Sequence, residues 1–144
     1  MNSNSITHFV INNWYLFLAL VVIVYLLLAE PLRRLMYGIQ SLPPGQAVQL
    51  INHHAAIIVD VRDPQEFQTG HIRKALNLPL SDFSKRVSEL EKYKDKSIVL
   101  YCGTGQRSAR AATFLRKHGF GSVHNLAGGL GRWRTENLPV TTET

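Results

Sequence analysis

The chain has 144 residues, of which 45% are hydrophobic and 18% are charged, and its formal net charge is +6 at pH 7. This length allows one domain of ordinary size and an additional segment, and the core of such a domain folds without disulfide staples. A chain with 1 cysteine cannot form an internal disulfide. This excludes a disulfide-stapled secreted scaffold and fits a reducing compartment.

The N-terminal part of the chain is uncharged, because no Lys, Arg, Asp or Glu occurs before residue 30. The apolar segment 9–29 is interrupted only by Asn12 and Asn13. As a helix it spans about 30 Å, the thickness of a bilayer core. The sequence therefore predicts a transmembrane helix at 9–29, preceded by an N-terminal tail at 1–8 and followed by a juxtamembrane connector at 30–40.

The basic residues that follow this segment predict its orientation. Arg33 and Arg34 come directly after it, whereas no basic residue precedes it, so the positive-inside rule places the N-terminus outside and the rest of the chain in the cytoplasm. The expected location is the inner (cytoplasmic) membrane, as a single-pass protein. A signal peptide needs a basic start and a small-x-small cleavage site, which residues 27–29 match poorly. A helix that is apolar on every face is either a membrane span or buried in a protein core, and the membrane span is the expected one here.

From residue 41 onward the sequence alternates between helical and strand patterns. Helical spacing of apolar residues, or a proline suited to a first helical turn, predicts helices at 46–52, 64–68, 83–90, 109–117 and 130–136. Short apolar runs predict strands at 56–61, 76–78, 97–101 and 123–126. This alternation predicts an α/β fold with a mostly parallel sheet flanked by helices on both faces.

The segment between the strand at 97–101 and the next helix is the candidate active-site loop. Cys102 follows the carboxyl end of the strand, where open α/β sheets bind ligands, and Ser108 lies near the helix start, where a hydroxyl can cap backbone N–H groups. Two glycines allow the loop to curl so that its N–H groups form an anion-binding nest, which lowers the thiol pKa and makes the thiolate the nucleophile. The candidate substrate-binding residues are those of the loop itself, Gly103, Thr104, Gly105, Gln106 and Arg107.

The alternative interpretations of the cysteine, the glycine-rich loop, the histidines and the basic charge are less favoured by the sequence. A lone cysteine can be a buried apolar residue, but its setting after a strand and before glycines favours chemistry. The loop lacks the Gly-Lys-Ser/Thr ending of a phosphate-binding Walker A loop. Adjacent His53 and His54 point to different sides of a helix and no cysteine or acidic cluster accompanies them, so no metal site is predicted. A pI near 9.8 could indicate nucleic acid, but aromatic and basic residues are not interleaved, and anionic membrane lipid is the expected partner.

Three motifs in order make the chain from about Ser41 to Val140 resemble a single rhodanese-like domain. Residues 59–79 are similar to the family's D-x-R…E-[FY]-x-x-G-H-I…A-x-N-x-P signature. Residues 102–108 resemble C-x-x-G-x-R-S, and residues 128–140 resemble G-G-x-x-x-W…G-L-P-V. Arg73-Lys74 stand where the family commonly has Pro-Gly, and Asn137 replaces a glycine, whose left-handed cap asparagine also tolerates.

The resemblance implies a rhodanese-like domain over residues 41–144 with sulfurtransferase activity and without a cofactor, and the helix predicted at 9–29 would anchor it to the membrane. Cys102 would take a sulfane sulfur from a small donor such as thiosulfate and pass it, as a persulfide, to a thiol, to a cyanide-like acceptor or to a protein sulfur acceptor. Asp60 and Arg62 are expected to pair and fix loops near the site.

Two alternatives stay open. The domain is a sulfurtransferase or a membrane-tethered protein-binding module. An intact Cys102 and Arg107 argue against a degenerate domain but do not exclude a dual role. Phosphatases of this fold use a larger C-x5-R loop, whereas four residues separate Cys102 from Arg107 here. The shorter loop therefore predicts sulfur rather than phosphate as the transferred group.

Overall fold

The computed structural model describes the backbone of residues 3–143, and side chains from residue 7 onward except at 30, 31 and 33–37. The first two residues of the predicted N-terminal tail therefore lie outside the described residues. So do the side chains of Arg33 and Arg34, on which the predicted orientation depends. The residues up to Gly38 and those from Ile39 onward form two compact units.

The first unit consists of two helices, α1 (Ser3–Asn12) and α2 (Trp14–Tyr37). Helix α2 continues through most of the predicted connector. In the part of the chain that the structure describes, no helix is long and apolar enough to cross a membrane, so the predicted transmembrane helix at 9–29 is not supported. The predicted segment is divided at Asn13, which leaves helical geometry with φ −120° and ψ 24°. The uncharged part of α2 that remains spans about 24 Å, less than a bilayer core.

The second unit is built on a five-stranded parallel sheet with the order β1-β5-β4-β2-β3. Its strands are β1 (Gln40–Leu42), β2 (Ile57–Asp60), β3 (Leu76–Asn77), β4 (Ile98–Tyr101) and β5 (Val123–Leu126). Strand β4 lies between β5 and β2, and all four of its residues are buried. This explains its continuous apolar sequence, because a central strand of a parallel sheet is covered on both faces.

The α-helices described in this unit lie between and after its strands: α3 (Pro44–His54), α4 (Pro64–Gln68), α5 (Phe83–Arg86), α6 (Gln106–Lys117) and α7 (Gly129–Thr135). The helix predicted at 83–90 is shorter, because 3₁₀ segments at Leu80–Asp82 and Val87–Tyr93 flank α5. Val87, Leu90 and Tyr93 all pack on the core at three-residue spacing. That spacing matches the three residues per turn of a 3₁₀ helix.

Two hydrophobic cores cover the two faces of the sheet, which confirms the α/β prediction. On one face Val59 and Leu100 pack with side chains of α5 and α6. On the other, Val99 and Tyr101 pack with Trp133 of α7 and with side chains of α3. Neighbouring residues of a strand point to opposite faces, so a few short strands supply both cores.

The turns at two departures from the family pattern keep left-handed backbone geometry. Lys74 has φ +64° and Asn137, just after α7, has φ +56°. Asn137 thus takes the left-handed conformation predicted for it. The parallel strands direct their carboxyl ends to one edge, and Cys102 directly follows β4 at that edge.

Candidate active site

The loop between β4 and α6 curls around the sulfur of Cys102, whose side chain is 1% exposed. The Gly105 N–H donates to Sγ at 3.0 Å, and the Ser108 hydroxyl lies 3.5 Å from it. Gly105 has φ +98°, a conformation that favours glycine, and it directly precedes Gln106, the first residue of α6. Asn125 at the end of β5 donates its side-chain N–H to the Gly105 carbonyl at 3.1 Å. The turn is therefore held with its N–H groups toward the sulfur.

The same contacts decide the ionisation of the thiol. Burial opposes the charged form, but hydrogen bonds from the Ser108 hydroxyl and from the N–H groups of Ser108, Gly105 and Thr104 outweigh it, so the pKa of Cys102 is lowered. The amino end of α6 adds a favourable dipole. Cys102 is therefore more readily deprotonated than an ordinary buried cysteine.

The start of α7 holds the loop from outside. The Leu130 N–H donates to the Cys102 carbonyl at 2.8 Å, and the Gly131 N–H donates to the Gly103 carbonyl at 3.0 Å. This close approach requires glycine at position 129, where φ is +58° and an added Cβ would lie 2.5 Å from the Cys102 carbonyl oxygen. Because the carbonyls are bound outward, the loop's N–H groups remain directed inward, as an anion nest requires.

Arg107, at the rim of the loop, forms an ion pair with Glu66 of α4. Nη1 donates to Oε2 at 2.8 Å and Nη2 donates to Oε1 at 3.0 Å. This pairing raises the pKa of Arg107 and lowers that of Glu66. Nη2 also lies 3.8 Å from the position that a Cβ would occupy at Gly103, so the guanidinium is close to the loop. Glu66 was not among the predicted site residues, although it is the glutamate of the first motif.

Asp60 and Arg62 form a buried ion pair, 0% and 4% exposed. Arg62 Nη2 donates to Asp60 Oδ2 at 2.7 Å and to the Gly70 carbonyl at 2.8 Å. Asn77 donates its side-chain N–H to the Arg62 carbonyl at 2.9 Å. These bonds tie together the two ends of the segment that carries α4. The two residues thus pair as expected, and their role in fixing the loops stays a prediction.

The remaining predicted residues form the mouth of the loop. Thr104 and Gln106 are exposed, Gly103 and Arg107 are partly exposed, and the sulfur of Cys102 lies beneath them. The structure thus brings all of the predicted substrate-binding residues and Ser108 together around Cys102. Chemically, the arrangement is a buried thiol with a lowered pKa and with hydrogen-bond donors that stabilise an anion on sulfur.

Ser108→Ala should raise the pKa of Cys102, because it removes a donor that favours the thiolate. We expect the alkylation rate of Cys102 by iodoacetamide to fall roughly fivefold at neutral pH, the effect of losing one hydrogen bond. The pH profile of alkylation should move toward higher pH. Ser122→Ala is the control, because the Ser122 hydroxyl bonds to that of Ser97 at 2.9 Å instead. An unchanged pH profile of alkylation in Ser108→Ala would show that the Ser108 hydroxyl does not stabilise the thiolate.

Comparisons with known proteins agree with this geometry. The family model of the rhodanese-like domain matches residues 43–136. The uncharacterized protein YibN of Escherichia coli is 34% identical over 137 residues, which are 94% of this chain and 96% of that protein. Thiosulfate sulfurtransferase GlpE of Pseudomonas syringae is 36% identical over 96 residues, 67% of this chain and 88% of that protein. The crystal structure of a rhodanese-related protein from Thermoplasma volcanium has 32% identity and a TM-score of 0.66, covering 72% of this chain and 99% of that one.

Proposed function

The chain belongs to the rhodanese-like domain family, and on that premise we propose that it is a sulfurtransferase that carries a sulfane sulfur on Cys102. The observation that supports this most directly is the Cys102 Sγ in its nest of N–H donors, with a lowered pKa. A sulfurtransferase needs a thiolate for attack and a cradle for the anionic outer sulfur of the persulfide. The loop offers both.

The proposed reaction has two half-reactions. The Cys102 thiolate attacks the outer sulfur of the donor, a new S–S bond forms, and the donor's S–S bond breaks with its electron pair. With thiosulfate as donor, sulfite leaves. An acceptor thiolate or cyanide then attacks the outer sulfur of the persulfide, and the Cys102 thiolate leaves. Such a sequence predicts ping-pong kinetics with a covalent intermediate.

Sulfur loading tests the proposal. The protein incubated with thiosulfate should gain one sulfur atom, measured by intact mass, and cyanide should remove that atom as thiocyanate. Aryl phosphates should not be hydrolysed, because the short loop between Cys102 and Arg107 encloses a ring too small for a phosphate. If the folded protein takes no sulfur from thiosulfate, persulfides or mercaptopyruvate, a protein-binding role becomes the better account. Phosphatase turnover would contradict the argument from loop length.

We also propose attachment to the inner membrane with the rhodanese-like domain on the cytoplasmic side. Helix α2 supports this, because its large apolar side chains are exposed, among them Trp14 at 61%, Tyr25 at 71% and Leu27 at 70%. Exposed apolar surface of this extent marks a site of contact with a membrane or a partner protein, and lipid is the contact proposed here. The protein should remain in the membrane pellet after a carbonate wash, and release would contradict attachment.

Thiol labelling distinguishes the two arrangements of an attached chain. In the single-pass arrangement, with the N-terminus outside, an impermeant reagent should label Asn4→Cys from outside but not Cys102. A protected cysteine at position 4 would instead leave the whole chain on the cytoplasmic side.

A further inference from the structure

Arg107 is the only basic residue in the loop from Cys102 to Ser108. In the structure its guanidinium is already paired with the Glu66 carboxylate. From this we infer that Glu66 selects the donor by charge, so that monoanionic sulfane-sulfur donors are used in preference to dianionic ones such as thiosulfate. The inference rests on the proposed sulfurtransferase function. It assigns a specificity-determining role to Glu66.

The geometry of the ion pair limits what Arg107 offers to a donor. Two of the five N–H donors of its guanidinium are bound to Glu66, at 2.8 and 3.0 Å. The two side chains are 38% and 41% exposed, so an incoming donor can reach the pair. Its charge is locally neutralised, however, so Glu66, Arg107 and the thiolate of Cys102 together carry one net negative charge.

A second contact holds Glu66 in this position. The backbone N–H of Asp63 donates to Glu66 Oε2 at 3.2 Å, the same oxygen that accepts from Arg107. The first turn of α4 thereby forms a capping box that fixes the carboxylate on the guanidinium. Pairing with Arg107 also lowers the pKa of Glu66, so the carboxylate stays ionised throughout the neutral range.

Coulombic repulsion then depends on the charge of the donor. A dianion at a site with one net negative charge meets about twice the repulsion that a monoanion meets at the same distance. A pair of donors that differ in this charge is thiosulfate and methanethiosulfonate. In both, the Cys102 thiolate attacks the outer sulfur and the donor's S–S bond breaks with its electron pair. The leaving group is sulfite dianion in the first case and methanesulfinate monoanion in the second.

The test compares sulfur loading of the full chain by these two donors at low ionic strength. Because the donors differ in intrinsic reactivity, the quantity of interest is the ratio of the thiosulfate rate to the methanethiosulfonate rate. Glu66→Gln should raise this ratio roughly three- to tenfold, the effect expected for removing one partly solvated charge near the donor. The matched control is Glu89→Gln, because Glu89 forms a similar exposed pair with Arg86, at 2.6 and 3.0 Å, in a different segment. The control should leave the ratio unchanged.

The second part of the test measures how the rate ratio of the unaltered protein depends on ionic strength. Salt screens the repulsion of the dianion more than that of the monoanion, so the ratio should rise with ionic strength. That rise should be smaller in Glu66→Gln. A role of Glu66 in shape alone would lower both rates and leave the ratio and its salt dependence as they are.

The outcomes separate the inference from the function on which it rests. If both donors load Cys102 but Glu66→Gln leaves the ratio unchanged, or if the ratio falls with salt, charge selection is overturned and the sulfurtransferase stands. If neither donor loads the unaltered protein, charge selection between them is overturned, and the sulfurtransferase is overturned with it only if persulfides and mercaptopyruvate also fail to load Cys102.

Discussion

Cys102→Ser should abolish sulfur loading from every donor. The chain has 1 cysteine, so no other thiol can accept the sulfur, and a serine hydroxyl stays protonated where the thiol ionises. The expected mass gain is therefore zero, and no thiocyanate should form on addition of cyanide. The fold should be retained, because serine is close to cysteine in size and the Ser108 and Gly105 donors can bond its oxygen.

The control for this variant is its near-UV circular dichroism spectrum, which should match that of the unaltered protein. Any sulfur that cyanide can release from folded Cys102→Ser would contradict the assignment of the nucleophile.

Gly129→Ala should disrupt the site without touching the sulfur. An added Cβ would lie 2.5 Å from the Cys102 carbonyl oxygen and 2.7 Å from the Gly103 carbonyl carbon, contacts that the backbone cannot keep. The left-handed φ of +58° costs about 1–3 kcal/mol for a non-glycine residue, and the clash adds to that. Sulfur loading should fall by roughly two orders of magnitude or more, because misplacement by about 1 Å has such effects on reacting groups.

The measurement pairs the loading rate with the urea midpoint of unfolding, which should also fall. Gly121→Ala is the matched control, since a Cβ there meets nothing within 4 Å. Full loading activity in Gly129→Ala would show that the contact with α7 does not position the loop.

Most of the secondary structure of the second unit was predictable because its signals are local. The buried apolar run of β4 and the proline at the start of α4 each identify their element from a few consecutive residues. The nest around Cys102 was predictable for the same reason, since two glycines, a strand end and a helix start are adjacent in the sequence. Strand β1 was not predicted because Gln40 and Ser41 are exposed on an edge strand of three residues, which has no alternation to detect.

The contacts that complete the site join residues far apart in the sequence, and no local pattern reports them. Glu66 and Arg107 are 41 positions apart in the sequence. The first motif contains Glu66, but nothing in it indicates that Arg107 is the residue that pairs with it. The bonds from Leu130 and Gly131 to the loop carbonyls depend on where α7 docks. In the N-terminal part of the chain, hydropathy alone predicted one continuous transmembrane helix at 9–29. One residue, Asn13, divides it between two helices.

The dependence of the loop on α7 has a consequence for biogenesis. The donors that hold the Cys102 and Gly103 carbonyls come from residues 130 and 131, which follow the cysteine, β5 and all of α6 in the chain. Parallel sheets already require distant segments to meet before contacts form, and domains emerge from the ribosome amino end first. During synthesis the cysteine is thus exposed in an unfinished loop until α7 has emerged. A chain stalled before α7 would carry an ordinary thiol, open to indiscriminate oxidation, so we expect reactivity toward sulfur donors to arise only after α7 has docked on the loop.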